Sequence, residues 1–262
     1  MGAMQRNARQ IERWSPWLLL VAVLVLWQIV CAGFGISEFI FPSPMRIWTQ
    51  FWEFKEIIAG HAWRTFWVTM AGFGLAIVVG VLLGFVIGSS RLAYAAMYPL
   101  MTAFNALPKA AFVPILVVWF GIGVGPAILT AFLISFFPIM VNIATGLATL
   151  EPELEDVLRV LGARKRDILW NVGLPRAMPY LFASLKIAIT LSFVGTVLAE
   201  TVASNKGIGT VMMIASGNFD VPMVFAGLFL LAAMGVALYA LSSLVEQRVT
   251  GWSQRKTDLA MG

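Results

Sequence analysis

Apolar residues gather into six long runs, at about 14–34, 66–89, 97–120, 126–149, 183–203 and 222–245. Each reaches the ~20 residues that a helix needs to cross a bilayer. Between them lie turn-forming and charged stretches that set the connections. GIGVGP at 121–126 predicts a tight turn. The stretch from about 35 to 65 reads as a long outer loop that includes His61, and it carries Trp48, Trp52 and Trp63, as an amphipathic segment at a membrane interface does. SNKGIGT and the following VMMIASGNF are too short to cross, which predicts a re-entrant or surface piece.

Two runs have internal structure. In the second, Gly80, Gly84 and Gly88 recur every fourth residue, so they form one small-residue stripe on which a neighbouring helix can pack closely. In the third, Pro108 and Pro114 bracket LPKAAFVP and remove two backbone donors. They predict either a kink or a helix broken where it lines a cavity. Lys109 sits inside that break, with Asn105 one turn earlier on the same face. A charge at mid-bilayer costs at least ~2.5 kcal/mol, so the lysine needs a polar neighbour, and carbonyls freed by the break can serve. Asn105, Pro108 and Lys109 are therefore candidates for a translocation path. A lysine that snorkels to an interface, or that pins the broken helix, fits the same residues.

Composition supports the membrane reading. Apolar residues make up 60% of the 262-residue chain and charged residues 12%, so a charged soluble shell cannot be built. The net charge of +5 is dispersed between apolar runs, which argues against nucleic acid as a partner. One cysteine, Cys31, and one histidine, His61, leave no intrachain disulfide, no metal cluster, no cofactor site and no nucleophile–base pair in the membrane. Thirteen Lys and Arg fall on the side of the N-terminus and four on the other, with Lys109 inside a run. Both termini are thus expected in the cytoplasm. Arg6, Arg9 and Arg13 before WLLLVAVLVLWQIVCAG resemble a signal peptide, but Trp27, Gln28 and Val30 spoil a cleavage site, so a retained anchor is expected. No repeat or low-complexity stretch divides the chain. A cytoplasmic segment 1–13, a permease domain 14–249 and a cytoplasmic tail 250–262 are expected.

The central polar segment, EPELEDVLRVLGARKRDILWNVGLPRAMP, reads as two short helices at about 150–180. Pro152 suits a first helical position, and Glu153, Glu155 and Asp156 favour a helix N-terminus. Leu154, Val157, Leu158 and Leu161 form an apolar stripe, and Gly162 is placed to end the helix. A second helix carries Ile168, Leu169 and Val172 on one side and is expected to stop at Leu174-Pro175. From charge alone, a basic loop resting on lipid headgroups would look the same.

At these residues the sequence resembles the permease subunits of bacterial ABC importers. Their cytoplasmic loop carries a Glu-Ala-Ala triplet, then a glycine, then a Leu-Pro step. Gly162, Ala163, Leu174, Pro175 and Pro179 match, whereas Asp156 replaces the glutamate and Val157 and Leu158 replace the alanines. FPSPMRIW, LPKAAFVPILVVWFGIG, FFPIMVN and AETVASNKGIGT extend the resemblance, in order, over nearly the whole chain. They are similar to the branch that imports nitrate, sulfonates, taurine, bicarbonate and pyrimidine-type compounds.

The resemblance implies an all-α membrane protein of about six spans, of the type I importer permease kind, in the bacterial inner membrane. It also implies partners: a second permease copy, a cytoplasmic ATPase docked on Glu155, Asp156, Leu158, Gly162, Ala163, Leu174, Pro175 and Pro179, and an extracytoplasmic solute-binding protein. No phosphate-binding G-x-x-x-x-G-K-[ST] loop occurs in the chain, so ATP hydrolysis is expected on another subunit. Lys109, Lys206 and the positive charge lean toward an anionic solute, with a neutral heterocycle close behind. An ion-coupled secondary transporter is the alternative, though it should show more ionisable residues at mid-membrane and two similar halves.

Overall fold

The structure, a computed structural model, describes residues 2–149 and 152–260, without the side chains of 2–13, 152–155 and 250–260. Among the described residues it is all helical. The helices are α1 (Gly2–Phe34), α2 (Pro44–Glu53), α3 (Lys55–Gly88), α4 (Arg91–Ala106), α5 (Val113–Phe120), α6 (Val124–Ala148), α7 (Pro152–Val160), α8 (Lys165–Ile168), α9 (Leu174–Ala203), α10 (Ile208–Gly217) and α11 (Val221–Ala260). Five stretches, within α1, α3, α6, α8–α9 and α11, are long and apolar enough to cross a membrane, and α4 and α5 pass the same test only together, as a broken span or a re-entrant loop. Each of the six apolar runs therefore falls on one of these stretches or on the bent pair. Several helices start well outside the run, because helix propensity and tertiary contacts continue past the apolar stretch.

The chain divides into two compact units, residues 1–59 with 211–230, and residues 60–210 with 231–262. In the first unit, Ser43 accepts a hydrogen bond from the Arg46 amide and Pro44 opens α2, the arrangement that favours a helix start. Trp48 and Trp52 are exposed on α2, as an interfacial helix requires, while Gln50 turns inward and donates to Asp220 at 3.0 Å. Trp27 of α1 stacks on Phe41 at 4.9 Å and meets Phe225 and Phe229.

In the second unit, α6 and α9 pack along each other and α3 closes over them. Ala76, Ile139, Ile143, Leu147, Ala177 and Ala188 form the buried centre. The glycine stripe of α3 faces α6. A Cβ on Gly80 would stand 2.9 Å from that of Ile139, on Gly84 2.7 Å from the Met140 carbonyl oxygen, and on Gly88 2.8 Å from the Ala144 carbonyl oxygen. Gly72 and buried Ala76 continue the stripe at the same spacing. Hydroxyls on these helices bond their own backbones, as Thr130 does to Pro126 and Ser135 to Ala131, so burial leaves them satisfied. Lys186 of α9 pairs with Glu246 of α11.

Three expectations are corrected. The interval 35–65 is not a long loop, since α2 and the first turns of α3 fill it. His61 therefore lies within α3 rather than in an outer loop. The second helix of the polar segment does not stop at Leu174-Pro175. A π turn over Leu169–Gly173 carries α8 into α9, with the Leu174 amide bonded to the Leu169 carbonyl. The wider turn and the position of Pro175 near the start of α9 accommodate the missing proline donor, so the chain continues helically.

Gly84→Leu is expected to lower stability by about 1–3 kcal/mol, as overpacking against α6 does. Gly74 has nothing within 4 Å of its would-be Cβ, so Gly74→Leu should leave it unchanged. Thermal unfolding in detergent compares the two.

Candidate functional site

Three features stand out in the sequence: the polar helical segment, the proline-bracketed run and the glycine stripe. The structure brings the first and third close together and holds the second elsewhere on the same unit.

Gly162 adopts φ +87°, the left-handed conformation that ends a helix at low cost only for glycine. Its amide donates to the Arg159 carbonyl and the Ala163 amide to that of Leu158, which closes α7 and reverses the chain. Asp167 then accepts from the Arg164 amide at 3.1 Å and starts α8. Ile168 is buried and Leu169 and Val172 are half-buried, so α8 and its π turn rest on the unit. The apolar edge of α7 does the reverse: Val157, Val160 and Leu161 are 56%, 87% and 77% exposed, with Leu158 half-buried. The Glu155 side chain lies outside the described residues. Leu174 is half-buried, Pro175 exposed and Pro179 half-buried at the start of α9.

Beside this segment is a cavity of about 340 Å³. The Gly88–Leu92 turn, the end of α6, and Asp156, Arg159 and Lys165 line it. The last glycine of the stripe thus borders the helical segment, because the stripe lets α3 run close along α6 to that end.

The third span is broken rather than kinked. α4 ends at Ala106, a 3-10 turn covers Lys109–Phe112, and α5 leaves at 76° to α4. Pro108 stands in the break and Pro114 opens α5. Lys109 Nζ reaches back to donate to the Asn105 carbonyl at 3.0 Å and to Asn105 Oδ1 at 3.2 Å, and it lies 5.4 Å from the centre of the Phe137 ring. The carbonyl is one that the end of α4 leaves without a helical partner. Lys109 also borders a cavity of about 380 Å³ whose lining is otherwise apolar, with Met101, Phe104, Phe136 and Phe137.

A fourth constellation is assembled only by the fold. His61, Thr65 and Thr69 on α3 face Ser192, Thr196 and Glu200 on α9, both sets spaced by four residues. Thr69 and Thr196 hydroxyls meet at 3.1 Å, Ser192 donates to the Thr69 carbonyl, and Thr65 donates to Glu200 Oε2 at 2.9 Å. Glu200 is 2% exposed. Three successive amides of the following turn also end here: Gly207 donates to His61 Nδ1, Ile208 to Thr65 Oγ1 and Gly209 to Glu200 Oε2, at 2.9, 2.9 and 3.1 Å. Because an amide can only donate, His61 Nδ1 is the acceptor and its proton sits on Nε2. The available signal was a glutamate inside an apolar run followed by G-x-G. Near the end of the run, however, a glutamate reads equally well as an interfacial charge that needs no partner.

Among the described residues no group of His, Cys, Asp and Glu is arranged to hold a metal ion.

Comparison with known proteins bears on this architecture. The family described as "Binding-protein-dependent transport system inner membrane component" matches residues 76–251, which contain the polar segment, the broken helix and Glu200. The formylaminopyrimidine transport permease protein ThiX of Halalkalibacterium halodurans is 29% identical, over 97% of this chain and all of its own. The riboflavin transport system permease protein RibX of Chloroflexus aurantiacus is 32% identical, over 89% of this chain and 88% of its own. The nitrate import permease protein NrtB of a Synechocystis strain is 27% identical, over 92% and 90%. In fold, an inward-facing structure of the MetNI methionine ABC transporter matches 76% of this chain and 98% of its own, with a TM-score of 0.64 at 18% identity.

Thr65→Val keeps the side-chain shape but leaves the Ile208 amide without an acceptor in a buried place. A loss of about 1–3 kcal/mol is expected. Thr102→Val, at an exposed hydroxyl that bonds only its own helix, should cost much less. Chemical or thermal unfolding of the detergent-solubilised chain measures both.

Proposed function

The chain belongs to the binding-protein-dependent transport system inner membrane components, multi-pass permeases of ABC importers for small solutes; from that premise we propose how it works. Two copies form the solute path, a separate cytoplasmic ATPase docks on the helical segment 155–179, and an extracytoplasmic binding protein delivers the solute. Both termini lie in the cytoplasm, on the side that carries most of the Lys and Arg.

The exposed apolar edge of α7 carries this reading. Val157, Val160 and Leu161 stand out beside a rigid Gly162 turn, on a segment otherwise rich in charge. A helix lying on lipid would also point an apolar edge away from the protein, into the acyl layer; what favours a protein groove is the mixed charge that flanks this edge, with Asp156, Arg159, Arg164 and Lys165 exposed. An edge left open, held at a fixed angle by a positive-φ glycine, suits a groove on another protein. The departure at Asp156-Val157-Leu158 is consistent with such docking, because Asp keeps the charge and the larger apolar side chains add contact area.

The path is assigned to the broken helix, with Asn105, Pro108 and Lys109 on it. Lys109 gives two of its three N–H groups to Asn105 and keeps one for a passing acceptor. The relatives' names span a pyrimidine derivative, riboflavin and nitrate. A small solute bearing an anionic or strongly accepting group fits the single cation in an otherwise apolar lining.

Co-purification of a cytoplasmic ATPase, and ATP-dependent uptake into vesicles from a panel of nitrate, a sulfonate and a pyrimidine, tests the assignment. An ion-gradient-driven uptake that ignores ATP would overturn it. Gly162→Val forces a β-branched residue into positive φ. ATP hydrolysis should continue while uptake falls by an order of magnitude or more, the insertion level staying at wild type. Lys109→Met should keep assembly and basal ATP hydrolysis but slow uptake, with Lys109→Arg partly active; full uptake by the Met variant makes the lysine a structural pin.

A further inference from the structure

α10 begins where its own sequence gives it no cap. A helix leaves its first amides without partners, and a preceding Ser, Thr, Asp or Asn usually accepts from them. Here the residue before Ile208 is Gly207, at φ +128°, which has no side chain to offer. The acceptors come instead from two other helices, His61 and Thr65 of α3 and Glu200 of α9. A carboxylate at a helix N-terminus is also favoured by the helix dipole.

The glycines make this arrangement exclusive. A Cβ on Gly207 would overlap the Glu200 carboxyl group, and one on Gly209 would come within 2.8 Å of the Glu200 Cβ. Any local capping side chain is kept out by the carboxyl that replaces it. Thr210 adds a bond from its hydroxyl to the Glu200 carbonyl, so the first turn of α10 is tied to the last turn of α9 twice. Glu200 Oε1 is buried with no partner, so the acid is held by one oxygen and by packing on Gly207.

The other end of α9 is the Leu174-Pro175 step of the helical segment. From Leu174 to Glu200 the helix is continuous, about 40 Å at 1.5 Å per residue. We propose that Glu200, together with Thr65 and His61, is a positioning residue for transport: it makes the start of α10 follow α9, so that a displacement imposed at the helical segment is delivered to α10 across the membrane. This rests on the reading of residues 155–179 as the ATPase-coupling segment.

Hydrogen–deuterium exchange on the complex with its ATPase in lipid nanodiscs reads both ends at once. ATP plus vanadate, compared with no nucleotide, should change exchange in peptides covering 156–175 and in those covering 204–212. In Glu200→Ala the resting exchange of 204–212 should rise about 10-fold, as loss of a helix cap allows. Its nucleotide response should vanish while that of 156–175 persists. Glu200→Gln, whose amide oxygen can accept the same two bonds, should restore the response, which a merely destabilised fold would not do. A wild-type complex that responds at 156–175 but not at 204–212 overturns the proposal and leaves the coupling segment standing, with no variant needed. A complex that responds at neither place overturns the coupling reading itself.

Discussion

A backbone amide or carbonyl that a helix end leaves open needs another partner, and the chain departs from regular helix at several such places. Each departure is matched by a named group. Where α4 breaks, the Lys109 ammonium takes the carbonyl of Asn105. Where Pro175 removes a donor, a π turn shifts the Leu174 amide to Leu169. Where α10 starts without a cap, His61, Thr65 and Glu200 supply three acceptors. The irregular points, and so the candidate functional points, are where polar side chains had to enter an apolar chain.

This constraint explains why the second unit is both close-packed and polar inside. The glycine stripe lets α3 and α6 approach until a single added carbon would collide with backbone. That approach brings α3 along α9 as well, and the hydroxyls of Thr65, Thr69, Ser192 and Thr196 then link the two helices where larger apolar residues would separate them. Small residues set the spacing and hydroxyls use it. The polar segment follows from the same economy: α8 buries Ile168 and continues into α9, while α7 keeps its apolar edge outside, bent away at Gly162.

The apolar helices were legible because six apolar runs of membrane length leave little choice, and a kink or break near Pro108 because proline acts on its own neighbours; which of the two it is only the fold shows. Gly162 and the stripe at Gly80, Gly84 and Gly88 were legible for the same local reason. The missed features depend on residues far apart in the chain. Helix α2 and the early start of α3 need partners such as Asp220, 170 positions from Gln50. The π turn needs the buried seat of Ile168. Glu200 is the clearest case. Read along the sequence it is a charge near the end of an apolar run, and only the fold shows that Thr65, 135 positions away, shares its oxygen with the Gly209 amide.

Site-directed cross-linking at the apolar edge of α7 tests the central claim most directly. With Cys31→Ser as background, Leu161→Cys carrying a photoactivatable cross-linker should capture a cytoplasmic ATPase subunit, and ATP should alter the yield. The same cysteine should react with a membrane-impermeant maleimide only from the cytoplasmic side. Labelling from the opposite side, or cross-links to lipid alone in a complex that still contains the ATPase, would contradict the account.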